Sequence, residues 1–121
     1  MTYSMKEFSQ LCGLNSSTIR YYEKLGLIVP ERDINGYRNF SKRDLDWINF
    51  IIRLKQIGMA VKDIQRYAAL REIGQSTILD RIDMLAIQES RLTEKIEELK
   101  ENMLFLEKKK KIYIDMMNKS N

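Results

Sequence analysis

A chain of 121 residues, 44% apolar and 31% charged, suits one small packed domain with an appendage, and it contains no apolar run near the roughly 20 residues of a bilayer span. One cysteine and no histidine exclude an internal disulfide, a zinc ligand set and an imidazole base for a Ser or Cys nucleophile, so neither an enzyme nor a bound cofactor or metal is expected. The net charge of +4 is unevenly placed: residues 1–71 carry 12 Lys and Arg against 7 Asp and Glu, whereas residues 72–121 carry 9 against 10, so an anionic partner is expected at the first part.

The N-terminus, Met1-Thr2-Tyr3-Ser4-Met5-Lys6-Glu7, has no basic-then-apolar export pattern, and a cytoplasmic location is expected. Ser4 and Glu7 have the spacing of a capping box, after which Met5, Phe8, Leu11 and Cys12 form one apolar face up to Gly13. Cys12 on that face reads as a buried packing residue. Asn15 caps a second helix with Ile19, Tyr22 and Leu25 inward and Gly26 as its stop. The connection through Gly13-Leu14-Asn15 has the length of a helix-turn-helix.

Ile28-Val29 and Gly36-Tyr37-Arg38-Asn39-Phe40 flank a polar stretch with Asn35-Gly36, which tolerates positive φ at both central turn positions, so a short β-hairpin is expected. Ser41 and Asp44 form a second capping box, opening a third helix that runs to Gly58. Its centre, Trp47-Ile48-Asn49-Phe50-Ile51-Ile52, is apolar on more than one side, which marks it as the central helix. A fourth helix is expected from about Val61 to Arg71, ending near Gly74.

From Ser76 onward there is neither glycine nor proline. Ile78, Leu85, Leu92, Leu99 and Leu106 recur every seven residues, and so do Ile82, Glu89, Ile96, Met103 and Lys110 on the adjacent line. With the second series at a and the first at d, this is a coiled-coil seam. Ile78, Ile82, Leu85, Leu92, Ile96, Leu99, Met103 and Leu106 are therefore the expected homodimerisation residues, in preference to a helix that folds back or breaks near Asn102. Residues 80–101 carry a net −3 and residues 107–111 a net +3. An antiparallel pairing centred near Leu99 sets these stretches against each other and avoids lysine facing lysine. The expected architecture is mainly α, with a helix-turn-helix head and short β-hairpin over 1–75 and an antiparallel coiled-coil dimerisation helix over 76–121.

On the second helix the face opposite Ile19 and Tyr22 carries Ser17, Arg20, Tyr21 and Lys24, with Thr18 in the first turn. Hydroxyls and amides of a first turn reach phosphates, an arginine fork suits guanine or phosphate, and a phenol suits phosphate. Tyr37 and Arg38 of the hairpin add to this surface, and Lys62, Arg66 and Tyr67 on the fourth helix are further candidates.

The run Asn15-Ser16-Ser17-Thr18-Ile19-Arg20-Tyr21-Tyr22-Glu23-Lys24-Leu25-Gly26-Leu27-Ile28 resembles the recognition helix of the MerR-family winged helix-turn-helix regulators. Asn35-Gly36-Tyr37-Arg38-Asn39-Phe40 resembles that family's wing, and Ile57-Gly58-Met59 with Lys62-Asp63-Ile64 its fourth helix. The resemblance covers essentially the whole chain and is nearest to the small subgroup without a separate ligand-binding domain. It implies a dimeric transcription regulator on a pseudo-palindromic promoter operator in double-stranded DNA, distorting an over-long spacer for RNA polymerase in response to a small-molecule or stress signal. Thiol-sensing members carry a cysteine in the third helix and metal-sensing members around the long helix; this sequence has neither. The rival reading is a coiled-coil adaptor whose head binds protein. Arg20, Tyr21, Tyr37 and Arg38 argue against it, since an adaptor needs no basic, phenol-bearing helix beside a wing.

Overall fold

The computed structural model describes residues 1–120, which divide into one compact unit, Met1–Ile82, and the chain from Asp83 onward. In chain order the elements are β1 (Thr2–Tyr3), α1 (Met5–Cys12), α2 (Ser16–Lys24), β2 (Glu31–Arg32), β3 (Arg38–Ser41), α3 (Lys42–Gln56), α4 (Val61–Ile73), a 3-10 turn (Gln75–Thr77) and α5 (Ile78–Ser120). This is a mainly helical fold with a small antiparallel sheet.

Local chemistry accounts for the helix boundaries. The Ser4 hydroxyl accepts from the Glu7 amide while Glu7 accepts from the Ser4 amide, and Ser41 and Asp44 do the same at α3. Asn15 Oδ1 accepts from the Thr18 amide at 2.8 Å and starts α2. At the end of α1, Gly13 adopts φ +79°, and its amide returns to the Ser9 carbonyl.

The sheet has the order β1–β3–β2, with Thr2 opposite Ser41 and Tyr3 opposite Phe40 on one edge, and Glu31 opposite Asn39 and Arg32 opposite Arg38 on the other. Two features differ from the sequence reading. The first hairpin strand is Glu31–Arg32, because Leu27 and Ile28 are buried in the core instead of forming a strand. The turn places positive φ only at Gly36, not at Asn35. The Asp33 carboxylate accepts from the amides of Asn35 and Tyr37, and the Gly36 amide donates to the Asp33 carbonyl. This is a turn with Asp at its first position and a left-handed glycine at its last.

Phe8, Ile19, Phe40, Ile48, Ile51 and Ile64 close the core of the first unit, with the rings of Phe8 and Phe40 stacked at 4.0 Å. Trp47 donates from Nε1 to the Leu27 carbonyl at 2.6 Å, so the one tryptophan ties α3 to the chain leaving α2. Leu11, expected inward, is 54% exposed: α1 packs along the Phe8 line, and Leu11 falls beyond its edge. Cys12 is half-buried, with its thiol towards the Ser9 carbonyl at 3.9 Å.

The α5 helix continues unbroken through Asn102 for 43 residues, about 64 Å at the usual helical rise. Of the seam residues, Ile78, Ile82, Ile96, Leu99, Met103 and Leu106 are exposed, while Leu85 and Leu92 are half-buried. No helix of the described residues is long and apolar enough to cross a membrane.

Candidate nucleic-acid interface

The α2 helix buries Ile19 and Tyr22 and turns its other face outward. Ser17, Arg20, Tyr21 and Lys24 are exposed there, and Thr18 is half-buried in the first turn. Neither Arg20 nor Lys24 has an ion-pair partner among the described residues. Two cations on one short helix, neither of them paired with a carboxylate, are available to an anion.

The wing is fastened to this helix by one carboxylate. Glu23 on α2 accepts from Arg38 (Nε to Oε2, 2.9 Å) on β3 and from Arg32 (3.1 Å) on β2. Arg32 also donates to the Gly36 carbonyl at 2.8 Å, so both strands and the turn are linked to the helix. Arg38, expected to reach DNA, is thus engaged in positioning the wing, whereas Tyr37 is 71% exposed. The Arg38 hydrogen bond is the main cause that holds the Glu23 carboxyl below the usual carboxylate range, with the charges of Arg38 and Arg32 acting in the same direction against burial. The Arg38 guanidinium is correspondingly raised.

Because the folded-state pKa of Glu23 is depressed, its contribution is present above the unfolded carboxylate pKa and is lost as pH falls through the folded one. Glu23→Gln is therefore expected to lower stability by about 1 kcal/mol at neutral pH. The loss should shrink towards zero at strongly acid pH. Urea titrations of both proteins at neutral and strongly acid pH check this; an equal deficit at both would show that the ion pairs are not its source.

The fourth helix brings a second pair of cations. Lys62 and Arg66 lie one turn apart and are exposed, and between them Gln65 donates to the Leu25 carbonyl at 2.9 Å. That bond sets the start of α4 against the end of α2. Tyr67 is corrected: it is only 7% exposed, stacked on Trp47 with centroids 5.9 Å apart and tilted against Phe50 at 5.6 Å. Its helical position, one residue past Arg66, turns it into the core. Sequence reasoning missed Glu23, Arg32 and Gln65, whose roles depend on partners that only the fold brings near. Among the described residues no group of His, Cys, Asp or Glu could hold a metal ion.

Similarity to known proteins spans the elements that carry this surface. Residues 3–70 match the family described as MerR HTH family regulatory protein, and residues 45–108 match the family described as MerR, DNA binding. An uncharacterized HTH-type transcriptional regulator of Haemophilus influenzae is 36% identical over 114 residues, covering 93% of this chain and 84% of that protein. The mercuric resistance operon regulatory protein of Bacillus cereus is 35% identical, covering 83% of this chain and 76% of its own length. Among solved structures, HiNmlR, a MerR-family regulator lacking the sensor domain and bound to promoter DNA, superposes with a TM-score of 0.79 at 36% identity, covering 93% of this chain and 90% of that one. A MerR-family regulator from Bacillus thuringiensis superposes with a TM-score of 0.75 at 30% identity, covering 90% and 96%. With its helix-turn-helix, its wing and matches that together span most of its length, this chain belongs to the MerR family of helix-turn-helix transcription regulators.

Proposed function

We propose that this protein binds a pseudo-palindromic promoter operator as a homodimer and regulates transcription by distorting the DNA between its half-sites. The observation that carries this reading is the unpaired, exposed set Ser17, Arg20, Tyr21 and Lys24 on α2 beside a wing fastened by Glu23. Arg20 reads a base edge or clamps a phosphate, Tyr21 and Tyr37 donate to phosphates, and Lys24, Lys62 and Arg66 supply sequence-independent attraction. Thr18, beside Ser17 in the capped first turn, adds a hydroxyl donor near the backbone amides.

The exposed stripe of α5 is the dimerisation surface. A groove of about 520 Å³ along it is lined by Ile96, Leu99, Met103 and Leu104, with Lys100 and Glu107 at its edge. Charge favours antiparallel pairing, since the net −3 of residues 80–101 then faces the net +3 of residues 107–111. Such a dimer separates its two heads, as two half-sites require. Distorting an over-long spacer would bring both polymerase elements into register, so that the regulator acts on RNA polymerase through the shape of the duplex. A small-molecule or stress signal would then set its output.

Sequencing of genomic fragments retained by the protein, followed by footprinting, tests this reading. The expected site is an inverted repeat protected on both halves and lying between promoter elements. Protection of a single undivided half-site, or retention without sequence preference, would remove it.

A further inference from the structure

Between the wing strands and the adjoining ends of α3 and α4 lies a hollow of about 430 Å³ that the DNA-binding reading does not use. It is formed entirely within Met1–Ile82, and its size falls among the roughly 300–1,000 Å³ of small-ligand sites. Its walls are charged. Glu31 enters from β2, Arg43 and Asp44 from the first turn of α3, and Arg71 and Glu72 from the end of α4. Asp44 is already committed, since it accepts from the Ser41 amide at 2.9 Å and closes the cap of α3. Two arginines and two glutamates remain, and they are poorly matched to each other. Arg43 and Glu31 have no ion pair among the described residues. Arg71 meets Glu72 only at 3.8 Å, and its guanidinium lies over the Trp47 ring at 4.3 Å. Burial, and after it the charge of Arg43, lowers the pKa of Arg71, so the two cations sit close enough to repel.

Two positive and two negative groups that face one hollow without neutralising one another suit a guest carrying both charges. A carboxylate accepts two parallel bonds from an arginine fork, and an ammonium donates to carboxylates. A guest with one of each adds no net charge to the hollow. Asn39 of β3 offers its amide to the same guest. Val29, 71% exposed, is the apolar residue of the lining and a contact for a short aliphatic side chain.

The hollow also reaches the recognition helix through the sheet. Neighbouring rungs of a two-stranded ladder turn their side chains to opposite faces. The Glu31–Asn39 rung lines the hollow, and the next rung, Arg32–Arg38, holds Glu23 of α2. A guest bound to Glu31 on one side and to Arg43 and Arg71 on the other fixes this ladder against α3 and α4. We propose that the hollow binds the zwitterion of a free aliphatic α-amino acid, with its carboxylate on Arg43 and Arg71 and its ammonium on Glu31 and Glu72. Occupancy restrains the wing before it meets DNA and so raises operator affinity. The regulatory half of this inference rests on the operator binding proposed above, whereas the binding half stands without it.

The test uses the full chain with L-valine as probe, alongside isovalerate, which lacks the ammonium, and isobutylamine, which lacks the carboxylate. Titration calorimetry measures binding directly, and the emission of Trp47, the one tryptophan, reports Arg71 being drawn from above its ring. Saturable binding of one L-valine per chain is expected, with both half-molecules, and L-valine on Arg43→Ala or Glu31→Gln, each roughly tenfold weaker or more. Thermal unfolding checks that both variants fold, as exposed and unpaired positions allow. No saturable binding of L-valine overturns the site, and equal binding of either half-molecule overturns it as an adventitious ion only. Unchanged binding by both variants overturns it by placing L-valine elsewhere. Operator titration with and without saturating L-valine tests the regulatory half. Tighter operator binding in its presence is expected, and unchanged or weaker binding overturns that half alone. A protein that binds L-valine but no promoter fragment overturns the operator reading and leaves the site standing.

Discussion

Replacing Leu99 by aspartate is expected to convert the proposed dimer into monomers while leaving the head folded. In the antiparallel seam proposed above Leu99 stands at the centre, so one substitution would bring two carboxylates together where two exposed leucines would otherwise cover each other. Each leucine loses about 1.5–3 kcal/mol of burial. Each unpaired carboxylate adds several kcal/mol more if it stays in the seam, and the chains separate instead. Operator affinity should then fall by roughly 10²–10⁴-fold, because the second half-site must be found by a separate molecule. Light scattering, Trp47 fluorescence and operator titration report the three parts of this result. Phe105→Asp, at an exposed position off the seam, should remain dimeric and bind normally. A Leu99→Asp protein that is still dimeric would remove α5 as the dimerisation element.

The second large effect is expected at the recognition helix. Arg20→Ala should weaken operator binding by about 1–3 kcal/mol while affecting random duplex much less, if its guanidinium reads a base edge. Lys24→Ala, one turn further on, should weaken operator and random DNA about equally and make the salt dependence shallower by about one unit of slope. The contrast carries the assignment: both residues are exposed cations on one face, and only the partners proposed for them on DNA differ. Titrations of both variants against operator and random duplex at two salt concentrations separate them. Unchanged affinity in both would place the DNA surface elsewhere.

How far the sequence could be read follows from the range of the interactions involved. Ser4 with Glu7, Ser41 with Asp44 and Asn15 with Thr18 are contacts three residues apart, so their pattern is visible in the chain and all three helix starts follow from it. The heptad of α5 is legible for the same reason, and the helix runs unbroken as its composition requires. The β1 strand was not legible, because two residues leave no alternation to detect and its partner lies nearly forty residues away. The wing strand was misplaced at Ile28-Val29, since a β-branched apolar pair reads as a strand whether or not it pairs; here Ile28 enters the core and Val29 stays exposed. At the candidate interface, the outward face of α2 follows from helical periodicity alone. The engagement of Arg38 by Glu23 does not, being a contact between side chains fifteen positions apart. Tyr67 shows the same limit: a phenol between basic residues reads as a phosphate donor until Trp47 and Phe50 are seen against it.

The joint between α4 and α5 bears on how such a protein can change over time. Gly74 adopts φ 108° and ψ −151°, a combination essentially confined to glycine, and a Cβ there would meet no atom within 4 Å. The obstacle to any other residue is therefore torsional, not a matter of space. Around it Thr77 donates to the Leu70 and Gly74 carbonyls, and Arg81 donates to the Gly74 carbonyl and to Thr77, so the bend is locked from both sides. Insertions of whole heptads further along α5 would lengthen the arm without disturbing this elbow, whereas any side chain at Gly74 would redirect the chain as it enters the helix. The length of the helix and the conformation of the chain at its start are thus inherited through separate parts of the sequence, the first through the heptads of α5 and the second through Gly74, Thr77 and Arg81.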